Sequence, residues 1–230
     1  MAPLSKREQD LQRRNGPGKD RKKLYYGLGA IVVVGLFVGL VLQENATASG
    51  LAAFEVDDDP YLGSPDAPVA LVGYESPHCS ACRGFHTQIL PQIQHLFDNG
   101  SLVYYFLQGT IMDADRVTSE AQECAYREGG NPAFWSLTDR LYGRAGNAVY
   151  STPDLRGWLS DLAAEQGLDE AELLGCLERG DTQKRVNEDL RIGREQGVRG
   201  TPSFWIVVDG KVHTVHDFAA LPGELAALTA

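Results

Sequence analysis

The stretch "SPHCSAC", residues 76–82, places Cys79 and Cys82 with two residues between them, directly after an apolar run and directly before a helical pattern. Two cysteines at this spacing can exchange disulfides, hold a metal ion or close a loop. The attacking species in disulfide exchange is a thiolate, so an active cysteine must lose its proton near neutral pH. The surroundings of Cys79 therefore decide between these uses.

The segments on either side put Cys79 at the start of a helix. "PVALVGYE", residues 68–75, is a short and nearly continuous apolar run, which is typical of a strand buried on both faces. Apolar residues then recur at helical spacing, interrupted by Pro91, which predicts a kink. Free N–H groups and the positive end of a helix stabilise a negative sulfur at Cys79. Cys79 is thus the predicted nucleophile, and Cys82, one turn further, the predicted resolving thiol.

The neighbours of Cys79 give the site its predicted tuning. Ser80 and Ala81 add no charge, so they act through backbone N–H groups and the serine hydroxyl. His78 has two interpretations, either a group that adds positive character when protonated or a solvated surface imidazole. A metal site is a rival prediction, because Cys79, Cys82 and His86 form a C-x2-C-x3-H set that suits copper(I) or zinc. No fourth ligand is evident in the sequence.

The order of elements predicts an α/β fold. "SLVYYFLQ", residues 101–108, is a second strand, and the region from about 112 to 198 reads as several helices joined by turns at "GGNP", "STPD" and "RGD". Strand character returns at "SFWIVVDGKVHTV", where Asp209-Gly210 marks a two-residue hairpin turn. A short helix over about 221–228 follows. This order corresponds to an α/β domain with a large helical insertion.

Charge is distributed unevenly along the 230 residues. Residues 1–23 contain eight lysines and arginines against three acidic residues, and the whole chain carries −10, so the rest carries −15. Residues 24–43 are uncharged and long enough for one transmembrane helix. Because basic residues stay preferentially in the cytoplasm, we expect a cytoplasmic tail at 1–23, an anchor at 24–43, a linker at 44–66 and an extracytoplasmic domain at 67–230. The acidic excess argues against nucleic-acid binding.

A cleaved signal peptide is the alternative to the anchor. "ATA" at 46–48 resembles a cleavage site, but the preceding apolar stretch is longer than the apolar region of about 7–15 residues that is usual within a signal peptide. The anchor at the cell membrane, with the N-terminus in the cytoplasm, is the prediction retained.

Three segments together resemble the DsbA-type thiol-disulfide oxidoreductases of the thioredoxin superfamily. They are "LGSPDAPVALVGYESPHCSAC" at 62–82, "AFWSLTDRLYG" at 133–143 and "GVRGTPSFWIVVDGK" at 197–211, and the similarity extends over about 62–228. The resemblance implies a thioredoxin-like fold, no cofactor, and a cis peptide bond between Thr201 and Pro202 that packs against the cysteine pair. It also implies that Thr201 backbone groups align an extended client segment beside the nucleophile.

The resemblance also has an implication for the other two cysteines, and this chain departs from the family pattern at one position near the active pair. Some relatives bridge helices of the insertion at positions similar to Cys124 and Cys176, which implies a structural disulfide; two separate buried thiols are the alternative. Relatives often carry a buried carboxylate six residues before the nucleophile, where this chain has Gly73. Glu75 is nearby, and the strand alternation leaves open which group takes the proton of Cys82.

The resulting functional prediction is an extracytoplasmic enzyme that exchanges disulfides with exported proteins. Donation of a disulfide during oxidative folding is favoured, with unfolded or reduced exported proteins as clients and a membrane redox partner that recycles the cysteines. The alternatives are a membrane-anchored reductase or isomerase, and a copper- or zinc-binding chaperone. The redox potential of the cysteine pair, and not the C-x2-C motif, separates an oxidase from a reductase or an isomerase.

Overall fold

The computed structural model describes residues 50–110, 113–144, 146, 148 and 153–229, with short pieces at 5–7, 25–26, 30 and 32–34. The chain divides into two compact units, Met1–Glu44 and Asn45–Ala230. The predicted basic tail and membrane helix lie almost wholly outside the described residues. Within the residues that are described, no helix is long and apolar enough to cross a bilayer.

The strands of the described chain form a five-stranded sheet in the order β1–β3–β2–β4–β5. Their bounds are β1 Tyr61–Gly63, β2 Val69–Glu75, β3 Leu102–Gln108, β4 Ser203–Val208 and β5 Lys211–Val215. β2 and β3 are parallel, and the other neighbours are antiparallel. The central β2 is buried along its whole length, as its continuous apolar run predicts. Both predicted early strands and the hairpin are confirmed.

The hairpin between β4 and β5 turns at Asp209 and Gly210, which both have positive φ (49° and 73°). A two-residue turn of this kind needs left-handed backbone at both positions, which glycine and aspartate tolerate best. The turn sets the register that pairs Val208 with Lys211.

The α-helices described in this domain lie mostly between β3 and β4. Their bounds are α1 Ser80–Gly84, α2 Leu90–Asp98, α3 Asp113–Gly143, α4 Leu155–Gln166, α5 Glu170–Arg179, α6 Gln183–Glu195 and α7 Leu221–Leu228. α3 is broken at Gly130, whose φ of 63° and ψ of −157° are not helical. The predicted α/β fold with a helical insertion between the second strand and the hairpin is therefore confirmed.

A π-helical segment, Phe85–Ile89, joins α1 to α2. The backbone N–H of Leu90 bonds to the carbonyl of Phe85, five residues back. Pro91 has no N–H to continue the ordinary pattern, so the predicted disturbance takes the form of a widened turn.

Two apolar clusters cover the two faces of the sheet. Alternate side chains of β2 divide between them, with Val69 and Leu71 on the face of the cysteine pair and with Ala70 and Val72 on the other face. A third cluster lies inside the insertion and contains Cys124 and Cys176. The two clusters on the sheet follow from the alternation of side chains along the strands, and the third follows from the apolar faces of the helices.

Cys124 on α3 and Cys176 on α5 form a disulfide with an S–S distance of 2.01 Å. Both residues are fully buried. The bridge joins two helices that already pack through the third apolar cluster. The structural pair implied by the resemblance is therefore present, and the alternative of two separate thiols does not hold.

The prediction of a linker at 44–66 is wrong for the described residues 50–66. Phe54 is fully buried and packs against Trp205 with ring centroids 5.2 Å apart and the rings tilted by 49°, and Val56 packs in the same cluster. β1 then pairs with β3 at the sheet edge. Two apolar side chains and a three-residue strand are enough to fix this segment to the domain, although its composition is that of a tether.

A group of buried carboxylates ties the same segment to the insertion. Asp59, Glu123 and Asp189 are almost completely buried. Arg185 donates to Asp59 at 2.5 Å and to Asp189 at 2.8 Å. The side-chain amide of Gln108, at the end of β3, donates to Glu123 at 2.9 Å.

Burial raises the pKa of Glu123 to about 7 and raises the pKa of Asp59 well above its ordinary value. One guanidinium does not compensate three buried charges, so this carboxylate cluster favours a bound proton.

Candidate active site

Cys79 occupies the N-cap of α1, where the chain leaves β2 and turns into the helix. The backbone N–H of Cys82 donates to Cys79 Sγ at 3.2 Å. Cys79 is 6 % exposed and Cys82 is fully buried, and both are free thiols. The geometry places the sulfur of Cys79 among unsatisfied N–H groups at the helix start, as predicted for a thiolate.

The two thiols differ in acidity. The pKa of Cys79 is lowered to about 6, first by a hydrogen bond from the Cys82 thiol, and then by contacts with Thr201 and the N–H groups of Cys82 and Ala81, against an opposing effect of burial. The pKa of Cys82 is raised well above its ordinary value by burial, by its hydrogen bond to Cys79 and by the charge of Glu75. At neutral pH one sulfur is therefore a thiolate and the other a thiol.

The turn before β4 closes over the nucleophile. The peptide bond between Thr201 and Pro202 is cis, the geometry that the resemblance implies. Cys79 Sγ lies 3.2 Å from the carbonyl oxygen of Thr201. The structure therefore brings together two segments separated by 122 residues, with backbone groups of Thr201 beside the reactive sulfur.

Neither interpretation of His78 holds. His78 is fully buried, and its Nε2 lies 3.0 Å from Thr118 Oγ1 on α3. Burial lowers the pKa of His78, so the imidazole is neutral near pH 7 and adds no positive charge. Next to it, Ser76 donates to Asp115 at 2.9 Å. These two contacts attach the cysteine loop to the insertion.

The structure supports one part of the prediction for the two residues between the cysteines, a backbone contribution to the acidity of Cys79. Ser80 and Ala81 are exposed. The backbone N–H of Ala81 contributes to the lowered pKa of Cys79. Ala81 therefore acts on Cys79 through its backbone N–H, and the side chains of both residues form exposed surface beside Cys79.

His86 does not face the cysteines as a ligand. Its Nε2 lies 3.1 Å from Glu75 Oε1, and its ring stacks on Tyr142 at 4.3 Å. Across the described part of the chain, no three or more His, Cys, Asp or Glu side chains are arranged to hold a metal ion.

Glu75, at the end of β2, is the site residue that the sequence interpretation left unassigned. It is fully buried, and Tyr104 on β3 donates a hydrogen bond to its Oε1. A side chain at Gly73 would meet the Tyr104 hydroxyl at 2.6 Å, so the tyrosine fills the space beside the glycine. Glu75 lies two residues after Gly73 and therefore on the same face of the strand. The two-residue alternation of the strand was therefore the sequence signal that could have assigned Glu75 to the site.

Comparisons with known proteins agree with this geometry. The family model described as Thioredoxin matches residues 55–223. Disulfide bond formation protein D of Bacillus subtilis is 26 % identical over 169 residues, covering 71 % of this chain and 73 % of the relative. Probable disulfide bond formation protein D of Bacillus cereus is 23 % identical over 189 residues, covering 80 % and 85 %.

Solved structures share the fold at low identity. The oxidised BdbD structure from Bacillus subtilis has a TM-score of 0.65 at 22 % identity and covers 76 % of this chain and 95 % of its own. The α-DsbA1 structure from Wolbachia pipientis has a TM-score of 0.60 at 18 % identity, covering 79 % and 97 %. With a matching family model over most of the domain and a buried C-x2-C pair at a helix start, this chain belongs to the thioredoxin family.

Proposed function

We propose that the protein is an extracytoplasmic thiol-disulfide oxidoreductase that donates the Cys79–Cys82 disulfide to exported proteins. The observation that carries this proposal is the contrast between the two thiols, with the pKa of Cys79 lowered to about 6 and that of Cys82 raised. A stabilised thiolate favours the reduced form of the pair, so the oxidised form is a strong oxidant. The names of the relatives as disulfide bond formation proteins support the same direction.

In this reaction a client thiolate attacks Cys79 Sγ, and the bond to Cys82 breaks. Cys82 leaves with the electron pair and takes up a proton. A second client thiolate then attacks the client sulfur of the mixed disulfide, and Cys79 leaves as a thiolate. The client dithiol is oxidised by two electrons, and the cysteine pair is reduced. Cys79 is a good leaving group because its pKa is low.

Client binding uses the turn at Thr201 and Pro202. Backbone groups of Thr201 lie against Cys79, and an extended client segment can pair with backbone groups there without regard to most of its side chains. Such recognition suits a catalyst that serves many unfolded proteins.

The proposed location follows from the sequence outside the domain. Residues 24–43 would anchor the chain in the cell membrane with residues 1–23 in the cytoplasm. A membrane redox partner would take electrons from reduced Cys79 and Cys82. This arrangement keeps the domain on the oxidising side of the membrane, where disulfides persist.

The deciding experiment is the reduction potential of the Cys79/Cys82 pair. The full chain is equilibrated in glutathione buffers, with a Cys124→Ala/Cys176→Ala variant as the control for the second pair. A value near about −120 mV, typical of strong oxidants, supports donation. A value near about −270 mV, typical of thioredoxin, identifies a reductase fed with electrons across the membrane and overturns the proposed direction.

A further inference from the structure

The lysines and arginines of the domain fall into two groups. Every lysine and arginine of α3–α6 except Arg194 forms an ion pair with a carboxylate. Within the part of the chain that the structure describes, Arg83, Arg194, Arg199 and Lys211 form no such pair. Residues 24–230 carry −15, which is the −10 of the whole chain less the +5 of residues 1–23. In a domain with so many carboxylates, the positions of cations without one are informative.

Arg83 lies one helical turn after the nucleophile. Its backbone N–H donates to the carbonyl of Cys79 at 3.0 Å. Its Nε donates to the carbonyl of Arg144, and Arg144 Nη2 lies 3.5 Å from the carbonyl of Pro77, in the loop that leads into the cysteine pair. A carbonyl is uncharged, so this contact positions the Arg83 guanidinium without neutralising it. The charge lies three residues along α1 from the exposed Ser80.

Arg199 belongs to the segment that closes over the reactive sulfur. The carbonyl oxygen of Thr201 lies 3.2 Å from Cys79 Sγ. Arg199 precedes Thr201 by two residues, which is at most about 7 Å of extended chain, and its side chain is exposed. The sulfur of Cys79 therefore lies between two segments, each of which has an arginine close to it.

Arg194 adds a third charge behind the Thr201 turn. It is exposed near the end of α6. The ring of Tyr74 packs against the neighbouring Gly193, where a Cβ would meet it at 2.5 Å. A Cβ at Gly109 would meet both Tyr74 and Thr201 at 2.8 Å, so the same ring also reaches the turn. Tyr74 thus connects the end of α6 to the turn over Cys79.

Lys211 lies at the opposite end of the sheet. It pairs with Val208, and Val208 also pairs with Val69 at the start of β2. The cysteine loop follows Glu75 at the other end of that strand, about 20 Å away at the usual rise of a strand. Lys211 is exposed and therefore provides a matched cation that is remote from the active site.

We propose that Arg83, Arg194 and Arg199 form an arginine rim around Cys79 that selects client segments with aspartate or glutamate near the reactive cysteine. The inference rests on the proposed function, because it specifies which clients the same exchange reaction prefers. A client carboxylate would supply the ion-pair partner that the chain itself does not. Side chains alternate along an extended segment, so positions two before and two after the client cysteine face the enzyme together with it.

The net charge of the domain opposes the arginine rim. A charge of −15 repels an acidic client at long range, whereas the rim attracts it close to the sulfur. At 0.1 M salt the screening length is about 10 Å, so charges on the far side of the domain contribute little at the reacting atoms. The rim should therefore dominate there, and charges at the edge of a binding surface act mainly on the rate of association.

The test compares three dithiol peptides as clients of the oxidised full-length protein. They differ only at the positions two before and two after the first cysteine, which carry glutamate, glutamine or lysine. Acid-quenched samples separated by mass give the second-order rate constant of peptide oxidation. Flanking charges also change the acidity of the peptide thiol, so each rate with a variant is divided by the rate of the same peptide with the parent protein.

Arg83→Gln/Arg199→Gln should lower the ratio of the glutamate-peptide rate to the glutamine-peptide rate by about tenfold, since each exposed ion pair contributes a factor of about two to five. The corresponding ratio for the lysine peptide should rise. Each single variant should have the smaller factor. Lys211→Gln removes one positive charge far from Cys79 and should leave both ratios unchanged. If Arg83→Gln does not fold, Arg199→Gln alone provides the comparison.

Two results would overturn the arginine rim. If the double variant slows all three peptides equally, the arginines act on Cys79 itself and not on client charge. If Lys211→Gln changes the ratios as much as Arg199→Gln, the net charge of the domain governs the rates. Salt gives an independent criterion, because the screening length falls from about 10 Å at 0.1 M to about 3 Å at 1 M. The parent's preference for the glutamate peptide should decrease with salt, and an increase would refute attraction by the rim.

The same peptides distinguish failure of the arginine rim from failure of the proposed function. If the oxidised parent protein oxidises none of the three peptides, the exchange activity is absent and the inference falls with it. If parent and variants oxidise all three with the same rate ratios, exchange is retained and selection by the rim is wrong.

Discussion

The two cysteine pairs of this protein share a domain and a high degree of burial, yet their surroundings prepare them for opposite tasks. Cys79 sits at a helix start, where the backbone N–H of Cys82 donates to its sulfur. Cys124 and Cys176 lie inside the apolar cluster of the insertion, where their bond joins two helices. Burial alone therefore does not decide whether a cysteine is reactive. The decisive difference is whether hydrogen-bond donors stabilise the thiolate.

The largest effect should come from breaking the reactive pair. Cys79→Ser should reduce disulfide exchange with a dithiol peptide to the background rate, because a serine hydroxyl forms no disulfide. The fold should remain, since serine keeps the size and the N-cap of α1. Peptide oxidation and circular dichroism measure the two results. Retained exchange in Cys79→Ser would remove this residue from the mechanism.

Removing the structural pair should lower stability and leave disulfide exchange largely intact. Cys124→Ala/Cys176→Ala opens a loop of 52 residues. The chain-entropy relation for that length gives a loss of about 4 kcal/mol in the free energy of unfolding, measured by denaturant titration. Exchange by Cys79 should stay within a few-fold at a temperature where the variant is folded. Equal stability of the variant and the parent would show that the bridge has no structural role.

A third effect concerns the pH dependence of the reduced pair. The pKa of Cys79 is about 6 in the folded protein, against about 8.5 for an unfolded cysteine. A lowered pKa stabilises the fold above the unfolded value, and that contribution is lost as pH falls through the folded value. The reduced protein should therefore gain on the order of 3 kcal/mol relative to the oxidised protein between pH 6 and pH 8.5.

Thermal unfolding of the reduced and oxidised forms at several pH values measures this difference. Iodoacetamide alkylation of Cys79 should show the same titration, with a midpoint near pH 6. A midpoint near 8.5, the ordinary value, would contradict the stabilised thiolate.

The smallest effect should come from the carboxylate cluster beside the structural pair, and its sign should be reversed. Burial raises the pKa of Glu123 to about 7, so its bound proton stabilises the fold at low pH. That stability is lost as pH rises from about 4.5 through 7. We expect the parent to lose about 2 kcal/mol more than Glu123→Gln between pH 5 and pH 8, because the glutamine does not titrate. Parallel pH profiles for the two proteins would contradict a protonated Glu123.

Local patterns in the sequence were sufficient for most of the fold. The apolar run before Cys79, the Asp209–Gly210 turn and the last helix each depend on residues within about ten positions, and the structure has all three where the patterns predict them. The position of Cys79 at a helix start follows from the same local signals. Such features are determined by periodicity and turn chemistry, which one sequence contains in full.

The parts that the sequence did not predict depend on distant contacts. Asp59, Glu123 and Asp189 come together from three distant segments of the chain, and no local pattern links them. His78 is buried because Thr118 on α3 covers it, which its polar neighbours in the sequence do not indicate. Phe54 and Val56 are scattered apolar residues in an otherwise tether-like stretch, and only their packing on the sheet shows that the domain begins earlier.

Gly73 has a consequence for how this site can evolve. The Tyr104 ring occupies the space that a side chain at position 73 would need, and the same tyrosine donates to Glu75. A carboxylate at 73 and a tyrosine at 104 therefore exclude each other. Moving the acid from 75 to 73 would change three positions on two neighbouring strands, namely 73 and 75 on β2 and 104 on β3. The space beside Gly73 thus couples the position of the acid on β2 to the residue at 104 on β3.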